Sequence, residues 1–434
     1  MVVAVILACL VAVFSPATGQ GADVPAMKVV DYFTGQPIAA AKVTAGKELM
    51  LTDAQGAFPL PKEEKKLKFR AHGYLRAEET IPASPLPNPQ PVRLIPFTPK
   101  GLYLSFYGVG VRALRDPALT LIRDTELNAL VIDVKGDRGM IPYKSSVALA
   151  SEIGAQKIIT VRDIHGLMKT FKEQGIYTIA RIVVFKDNLL AQAKPELAVK
   201  SNGGAMWQDR EHLHWVEPFR REVWEYNIQI AVEAAQLGFD EIQFDYVRFP
   251  DASAPHYSQA NTEENRVKAI SGFLQEAKNR LLPYNVFLSA DIFGYVCWNL
   301  NDTQIGQKLE AVVPTVDYLS PMLYPSGFMY GIPGYRNPVA NPHEIVYLTL
   351  KRAQERTQIP TTRFRPWLQA FRDYAFDRRF FNAKEIKSQI DAAEKFGSLG
   401  WMLWNPLNNY SGDALRKEKP AGLVTSLVIP SKNL

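Results

Sequence analysis

The sequence is poor in cysteine and contains no long apolar segment. Only two cysteines occur in 434 residues, and one of them, Cys9, lies in the apolar N-terminal segment. If that segment is removed, Cys297 alone remains and no intramolecular disulfide can form. The longest apolar run, residues 2–14, is shorter than the roughly 20 residues that a membrane-spanning helix requires. A disulfide-stapled fold is therefore excluded, and no stable membrane span is expected after removal of the segment.

Several signatures of cofactor and metal chemistry are also missing. No G-x-G-x-x-G follows the first strand of the main domain, and neither a G-x-S-x-G elbow nor a phosphate-binding loop occurs. His212 and His214 are spaced i, i+2 without a cluster of further metal ligands. The net charge of +6 is spread along the chain, which is typical of a solvated surface. We therefore expect no cofactor, no metal and no nucleic-acid partner.

Residues 1–22 have the features of a bacterial-type signal peptide. The apolar run is followed by Ser15, Pro16 and small residues, as at a cleavage region. We therefore expect an exported protein that is periplasmic, bound to the cell surface or secreted. Lipidation of Cys9 and the oligomeric state stay open.

A small all-β domain is predicted over residues 23–80. Apolar positions alternate in short segments that are separated by turn residues, as in a β-sandwich. The segment resembles carboxypeptidase-regulatory-like modules, which implies a structural role without chemistry. The resemblance rests on Thr34-Gly35, Pro37-Ile38, Ala41, Val43, Thr52-Asp53, Gly56, Phe58 and Gly73-Tyr74. Dense prolines then indicate a stiff, extended linker over residues 81–98.

The segment 99–434 is predicted to form an α/β domain with the architecture of a (β/α)8 TIM barrel. Short apolar segments alternate with amphipathic helical stretches, which indicates repeated βα units and a parallel sheet. Eight such units point to a closed barrel rather than to an open sheet. The eight predicted strands are 101–107, 128–135, 176–185, 239–246, 285–293, 316–324, 365–371 and 400–405.

The ends of these strands carry polar and aromatic residues. In TIM barrels the active site lies at the carboxyl ends of the strands, so these side chains are expected to meet in one pocket. Aromatic rings in that pocket would pack against the apolar faces of sugar rings. The predicted substrate-binding residues are Tyr107, Asp133, Lys135, Arg181, Arg248, Trp298, Tyr324, Gln369, Trp404 and Asn405.

Two acids on neighbouring strands are the predicted catalytic pair. Asp245 ends the fourth strand and Asp291 ends the fifth, so their carboxylates can face one another. Glycosidases use such a pair, and mutual repulsion with burial raises one pKa so that this group can donate a proton. We predict Asp245 as nucleophile or base and Asp291 as general acid.

Other acids are weaker candidates. Asp240 lies at the entrance of the fourth strand, and Glu241 is expected to be a buried partner of an arginine or lysine. Asp133 is a lesser catalytic candidate. Asp317 is predicted at the opposite end of the barrel from the active site.

The segment from Gly101 to about Asn409 resembles the family described as "Putative glycosyl hydrolase domain" (domain of unknown function 4015). The segments that carry the resemblance are IDVKGDRG, EIQFDYVRFP, SADIFG and DYLSPMLYP. The resemblance implies a TIM barrel related to retaining glycosidases, with Asp245 at the nucleophile position. The fifth-strand acid in amylase-like relatives is usually Glu, whereas Asp291 stands here. Against the chitinase pattern D-G-x-D-x-D-x-E, the chain has Gln243 and Val247 at two acid positions, so substrate-assisted chitinase chemistry is not expected.

Two functions remain open on the sequence. The first is an exported glycoside hydrolase that cleaves a polysaccharide or oligosaccharide of the cell envelope or the extracellular space. The alternative is a non-catalytic carbohydrate-binding TIM barrel of the envelope. Because both acids are present, the hydrolase is favoured.

Overall fold

The computed structural model describes residues 26–61, 66–80, 90–252 and 254–417. Within these residues, a small β domain precedes a closed barrel of eight parallel strands. The predicted fold class, a TIM barrel with an N-terminal all-β domain, is confirmed. The predicted signal peptide lies outside the described residues.

Seven short strands build the small domain. They are β1 (Ala26–Asp31), β2 (Lys42–Ala45), β3 (Glu48–Leu51), β4 (Ala57–Pro59), β5 (Lys66–Arg70), β6 (Ala77–Thr80) and β7 (Val92–Leu94). They form two sheets, of order β4-β1-β7 and β3-β2-β5-β6, that share a core containing Val29, Val43 and Phe69. β7 comes from the segment that the sequence assigns to the linker, and it pairs in parallel with β1. That end of the segment is therefore part of the sheet, while residues 81–89 lie outside the described ranges.

Eight strands close the barrel, and each overlaps one of the predicted strands. They are β8 (Lys100–Leu104), β9 (Ala129–Lys135), β10 (Tyr177–Val183), β11 (Glu241–Asp245), β12 (Phe287–Phe293), β13 (Tyr318–Met322), β14 (Trp367–Gln369) and β15 (Trp401–Trp404). Neighbours along the chain are neighbours in the barrel, and β15 pairs with β8 to close it.

The barrel strands read as nearly continuous apolar segments because both of their faces are covered. Every residue of β9, β10 and β11 is buried, as expected where helices cover the outside of a parallel sheet. A large apolar cluster packs between strands and helices. A second cluster, which includes Tyr103, Val131, Ile179, Trp367 and Met402, fills the inside.

Among the residues that the structure describes, ten α-helices lie in the connections between barrel strands. They are α1 (Phe106–Gly110), α2 (Arg112–Asp124), α3 (Ala148–Glu152), α4 (Ile164–Glu173), α5 (Asn188–Ala193), α6 (Arg221–Gln236), α7 (Glu263–Leu281), α8 (Leu309–Val312), α9 (Pro342–Thr357) and α10 (Ala383–Phe396). Short 3-10 helices span Pro195–Leu197, Leu282–Tyr284, Gly294–Cys297, Val313–Thr315, Pro325–Gly327, Pro338–Ala340 and Thr361–Arg363.

Local chemistry fixes both ends of α10. α10 begins with a reciprocal capping box between Asn382 and Glu385 and ends at Gly397, whose φ of 85° is favourable for glycine.

In the part of the chain that the structure describes, none of the helices has both the length and the apolar character needed to cross a bilayer.

The small domain covers the amino-terminal end of the barrel. Arg76 Nη2 lies 2.7 Å from Asp240 Oδ1, directly before β11. Arg70 Nη1 donates to Asn285 Oδ1 at 3.1 Å, two residues before β12, and Lys42 pairs with Asp317 directly before β13. These contacts leave the carboxyl end of the barrel open for a site.

Candidate active site

A buried chain of hydrogen bonds connects the ends of β8, β9, β10 and β11. Tyr103 donates its hydroxyl to Asp133 Oδ2 at 2.6 Å. Arg181 donates through Nη1 to Asp133 Oδ1 at 2.6 Å, and through Nε and Nη2 to Asp245 Oδ2 at 3.0 and 2.5 Å. Burial opposes the charge on Arg181, but the carboxylates of Asp245 and Asp133 outweigh it and hold the guanidinium pKa well above its usual range. The network therefore fixes the orientation of Asp245.

Aromatic rings enclose the same arginine. The guanidinium carbon of Arg181 lies 4.8 Å from the ring centre of Trp404 and 5.5 Å from that of Tyr103. Trp404 and Tyr103 are themselves stacked, with ring centres 3.9 Å apart. These contacts restrict the guanidinium plane further, in addition to its ion pairs.

Opposing effects act on the pKa of the Asp133 carboxyl. Burial raises the pKa of the Asp133 carboxyl, although the charge of Arg181 and the hydrogen bond from Tyr103 act in the opposite direction. Both oxygens of Asp133 are bound by these two residues. Asp133 is therefore a support for Arg181 rather than a group free to contact a ligand.

Asp291 is bound much less completely than Asp245. The indole Nε1 of Trp367 donates to Asp291 Oδ1 at 2.8 Å. Asp291 Oδ2 is buried and has no hydrogen-bond partner among the described residues. Burial, and then the negative charge of Asp245, raise the pKa of the Asp291 carboxyl well above its usual range. The pair therefore combines one carboxylate held by an arginine with one carboxyl that favours its protonated form.

Tyr324 lies close to both carboxyl groups. Burial raises the pKa of its hydroxyl well above the usual value, and the charges of Asp291 and Asp245 raise it further. Tyr324 therefore carries a neutral hydroxyl next to the pair.

β11 ends in an unusual backbone turn. Tyr246 has a φ of 46°, in the left-handed region, and its backbone N–H donates to Asp245 Oδ1 at 2.6 Å. Such a conformation is costly for a residue other than glycine and is often found at functional sites. The turn binds the second oxygen of Asp245.

A cavity of about 430 Å³ opens beside these residues at the carboxyl end of the barrel. Its walls come from the ends of strands β10 to β15 and the loops that follow them. The lining residues are Arg181, Glu211, Asp245, Tyr246, Arg248, Phe293, Gly294, Tyr295, Met322, Tyr324, Gly327, Phe328, Trp367, Phe371, Tyr374, Trp404 and Pro406. The wall is largely aromatic and carries two carboxylates and two arginines, a composition suited to a sugar ligand.

A second cavity of about 630 Å³ adjoins the first. Phe371 and Pro406 line both cavities. The walls of the second also include Arg372, Phe380 and Asn409, from the segments after β14 and β15. The second cavity therefore lies directly beside the first.

The structure brings five of the predicted site residues to the wall of the first cavity. They are Arg181, Asp245, Arg248, Tyr324 and Trp404. Asp133 and Asp291 lie one layer beneath, and Asp291 is only 1% exposed. The predicted catalytic neighbours are thus close to each other, while Asp245 alone of the two reaches the cavity.

Lys135 and Trp298, predicted to bind substrate, lie elsewhere. Lys135 is fully buried, pairs with Asp187 at 2.6 Å and lies 5.6 Å from the ring centre of Tyr226 on α6. A register shift in the pairing of β9 with β10 follows Asp133, so simple alternation from Asp133 does not hold at Lys135. Trp298 donates its indole N–H to Thr349 at 3.0 Å and packs on the outer core.

Tyr107, Gln369 and Asn405 also do not line the first cavity. Tyr107 is 49% exposed on α1. Gln369 is buried, and its amide donates to Ser326 Oγ at 2.7 Å. Asn405 donates to the Ala370 carbonyl at 2.7 Å and lines the second cavity instead. The side chains of Gln369 and Asn405 are used in hydrogen bonds to neighbouring segments. Their location at a strand end does not by itself distinguish this use from contact with a ligand.

The sequence prediction missed several residues of the wall. Glu211, Tyr295 and Tyr374 come from connecting segments, where alternation gives no signal. Glu211 is largely exposed and lies 3.0 Å from Lys186 Nζ. Tyr246 directly follows Asp245, and its left-handed backbone could not be anticipated from a tyrosine.

The acids at the other end of the barrel have structural partners, as predicted for Glu241. Glu241 accepts hydrogen bonds from Arg365, from Tyr177 at 2.9 Å and from Ser289 at 2.6 Å. Asp317 is also at that end, as expected. Among the described residues, no group of three or more His, Cys, Asp and Glu side chains is arranged to hold a metal ion.

Comparison with solved structures gives matches to the fold. The glycoside hydrolase domain of PgaB (BpsB) from Bordetella bronchiseptica is similar at a TM-score of 0.56 and 12% identity, over 75% of this chain and 100% of that one. A hypothetical protein from Ruminiclostridium thermocellum ATCC 27405 is 40% identical over 44% of this chain and 96% of that one, with a TM-score of 0.39. A class V chitinase from Pseudomonas fluorescens Pf-5 is 15% identical over 73% of this chain and 97% of that one, with a TM-score of 0.44.

The family comparison covers most of the chain. No curated protein matches it. The sequence model of the family described as "Putative glycosyl hydrolase domain" matches residues 101–410, which include the whole cavity wall. The predicted class, a glycoside hydrolase, agrees with that match, and the chain belongs to this glycosyl hydrolase family.

Proposed function

We propose that the barrel hydrolyses a polysaccharide with Asp245 and Asp291 as its two acting carboxyl groups. The observation that carries the proposal is their asymmetry. Asp245 is paired with Arg181, whereas Asp291 has a raised pKa and an unbound oxygen. Two-carboxylate glycosidases need one group that donates a proton and one that is ionised.

The roles follow from this asymmetry. Asp291 donates its proton to the oxygen of the leaving sugar, and Asp245 attacks the anomeric carbon or activates a water molecule. Trp367 and Tyr324 both line the cavity, and Trp367 is hydrogen-bonded to the buried Asp291, so the productive complex requires these two side chains to shift and expose Asp291 Oδ2. Arg181 keeps Asp245 oriented throughout.

A polymer is the proposed substrate because a second cavity lies directly beside the catalytic cavity. The second cavity supplies space for further sugar units beyond the one next to Asp245. The signal-like segment at residues 1–22 supports export, which would place the substrate in the cell envelope or outside the cell.

A non-catalytic carbohydrate-binding barrel is the second candidate. It is favoured by one observation, which is that Asp291 does not line the cavity. In such a protein the same aromatic wall would bind a glycan without cleaving it.

The test is a screen of the purified protein against a polysaccharide panel, with Asp245→Asn as the key variant. Asp245→Asn is expected to fold, because Arg181 keeps its ion pair with Asp133, and to lose about 10³-fold or more of the hydrolysis rate. Asp240→Asn, at the other end of the same strand, is the matched control and should hydrolyse normally. Unchanged hydrolysis by folded Asp245→Asn protein would refute the mechanism. Binding without turnover by the unaltered protein would favour the binding barrel.

A further inference from the structure

Arg248 is the one cation around the catalytic cavity that has no carboxylate partner among the described residues. It lines the cavity three residues after Asp245. No carboxylate oxygen of those residues lies within 4.0 Å of its guanidinium nitrogens. Arg181 and Lys186, the neighbouring cations, both have such partners. The charge of Arg248 is therefore left for a ligand.

The guanidinium of Arg248 is held in place by rings rather than by acids. Its central carbon lies 5.0 Å from the ring centres of Trp215 and Tyr246 and 6.0 Å from that of Phe293. Nη1 donates to the Phe249 carbonyl at 3.0 Å. A guanidinium has five N–H donors, so most of those of Arg248 have no acceptor among the residues that the structure describes.

The acids that line the cavity are already engaged. Asp245 is bound by Arg181, and Glu211 is bound by Lys186. Neither carboxylate contacts the guanidinium of Arg248. An anionic group on a ligand is the partner that matches a preoriented arginine fork, because carboxylates and phosphates accept two parallel N–H bonds.

We propose that Arg248 binds an anionic substituent on the sugar unit next to the scissile bond, so that the substrate is an acidic polysaccharide. This rests on the proposed function, since it takes the cavity as the glycan site. The anionic group is a carboxylate, as in a uronic acid, or a phosphate ester. Both groups have oxygens that accept paired hydrogen bonds from a guanidinium.

The experiment measures binding of three probes that share one sugar ring: glucuronate, glucose 6-phosphate and glucose. Titration calorimetry of the full chain is expected to give at least a tenfold lower Kd for one of the two anions than for glucose. A preference for glucuronate assigns a carboxylate, and a preference for glucose 6-phosphate assigns a phosphate ester. Equal affinity for all three, or no binding of either anion, would overturn the proposal.

Arg248→Gln tests the residue itself. It should weaken binding of the preferred anion tenfold or more and weaken glucose binding by a smaller factor. Arg221→Gln is the matched control, because Arg221 stacks on Trp224 with 3.7 Å between its guanidinium carbon and the ring centre, away from the cavity. If Arg248→Gln does not fold, Arg248→Lys keeps the charge but loses the fork, and it should retain a reduced preference for the anion. An anion preference unchanged in either folded variant would also overturn the proposal.

The binding measurement separates this inference from the hydrolase proposal. An anion preference that depends on Arg248, in a protein that cleaves no polysaccharide, would refute the hydrolase proposal alone. Cleavage of a neutral glycan that Arg248→Gln leaves unchanged would refute the acidic substrate alone.

Discussion

The two ends of the barrel both carry buried acids, but the acids differ in how completely their oxygens are bound. At the amino-terminal end, both oxygens of Glu241 accept hydrogen bonds, and one of them contacts Arg365. At the carboxyl end, one oxygen of Asp291 is bound by Trp367 and the other has no hydrogen-bond partner in the described part of the chain. Burial is almost complete in both places.

Burial alone therefore does not separate a structural acid from a catalytic one. A fully bound carboxylate such as Glu241 stabilises the fold around an opposite charge. A carboxyl such as Asp291, which forms no ion pair with any described residue and has Asp245 nearby, costs free energy when it ionises and so keeps a proton for transfer.

The largest effect on stability is expected from Glu241→Gln. The substitution leaves the buried guanidinium of Arg365 without its carboxylate, which should lower the free energy of unfolding by about 3–5 kcal/mol. Urea denaturation measures the loss. Glu310→Gln removes the partially exposed partner of Arg356 and is the matched control, with an expected loss below about 1 kcal/mol. Equal losses in the two variants would remove the contrast between buried and exposed pairs.

A smaller loss, with a defined pH dependence, is expected from Asp317→Asn. Burial favours protonation of Asp317, but His72, whose Nε2 lies 3.8 Å from Asp317 Oδ1, and the charges of Lys42 and Arg70 hold its pKa well below the usual range. A depressed pKa adds stability above the unfolded-state pKa, and this contribution is lost as pH falls toward the folded-state pKa. At neutral pH the variant should unfold about 1.5–3 kcal/mol more easily.

The pH series provides the decisive measurement for Asp317. The difference between the unaltered protein and Asp317→Asn should be constant near neutral pH and should shrink below about pH 4. A difference that stays constant down to pH 2 would show that the charge of Asp317 does not contribute.

The smallest effect, and one of opposite sign, is expected from Asp291→Asn. The raised pKa of Asp291 means that the folded protein retains a proton that the unfolded chain releases above about pH 4. Stability is therefore lost as pH rises from there toward the folded-state pKa, and an asparagine avoids this loss. Asp291→Asn should be at least as stable as the unaltered protein at pH 7, with an advantage that widens from pH 4 upward.

Thermal unfolding at several pH values tests this, with hydrolysis of the substrate measured in parallel. Asp317→Asn serves as the comparison because its difference from the unaltered protein should have the opposite sign. A stability loss in Asp291→Asn that resembles that of Asp317→Asn would place Asp291 among the structural acids.

The barrel could be predicted because its strands are short apolar segments that alternate with amphipathic helical stretches. The same logic predicted that Asp245, Arg181 and Tyr324 would lie at one pocket, and all three line the first cavity. It failed at Lys135, where an irregular register follows Asp133. A register irregularity of this kind depends on how two strands pair, so it cannot be predicted from the sequence of either strand.

Contacts between residues far apart in the chain and the paths of loops could not be predicted from the sequence. Glu241 was expected to meet an arginine or lysine, but Arg365 is 124 residues away along the chain and could not be singled out. Glu211 and Tyr374 reach the cavity from loops whose paths depend on the packing of the whole carboxyl end.

The attachment of the small domain to the amino-terminal end has a consequence for how this protein can be changed. Asp240 binds the small domain, and Asp245 lies five residues later, about 16 Å away along β11 at roughly 3.3 Å per residue. Substitutions that far apart, without shared partners, usually act additively. Loops at the carboxyl end of the barrel can therefore be exchanged to change the glycan specificity without disturbing the contacts between the two domains. In this sense the molecule is modular for protein engineering.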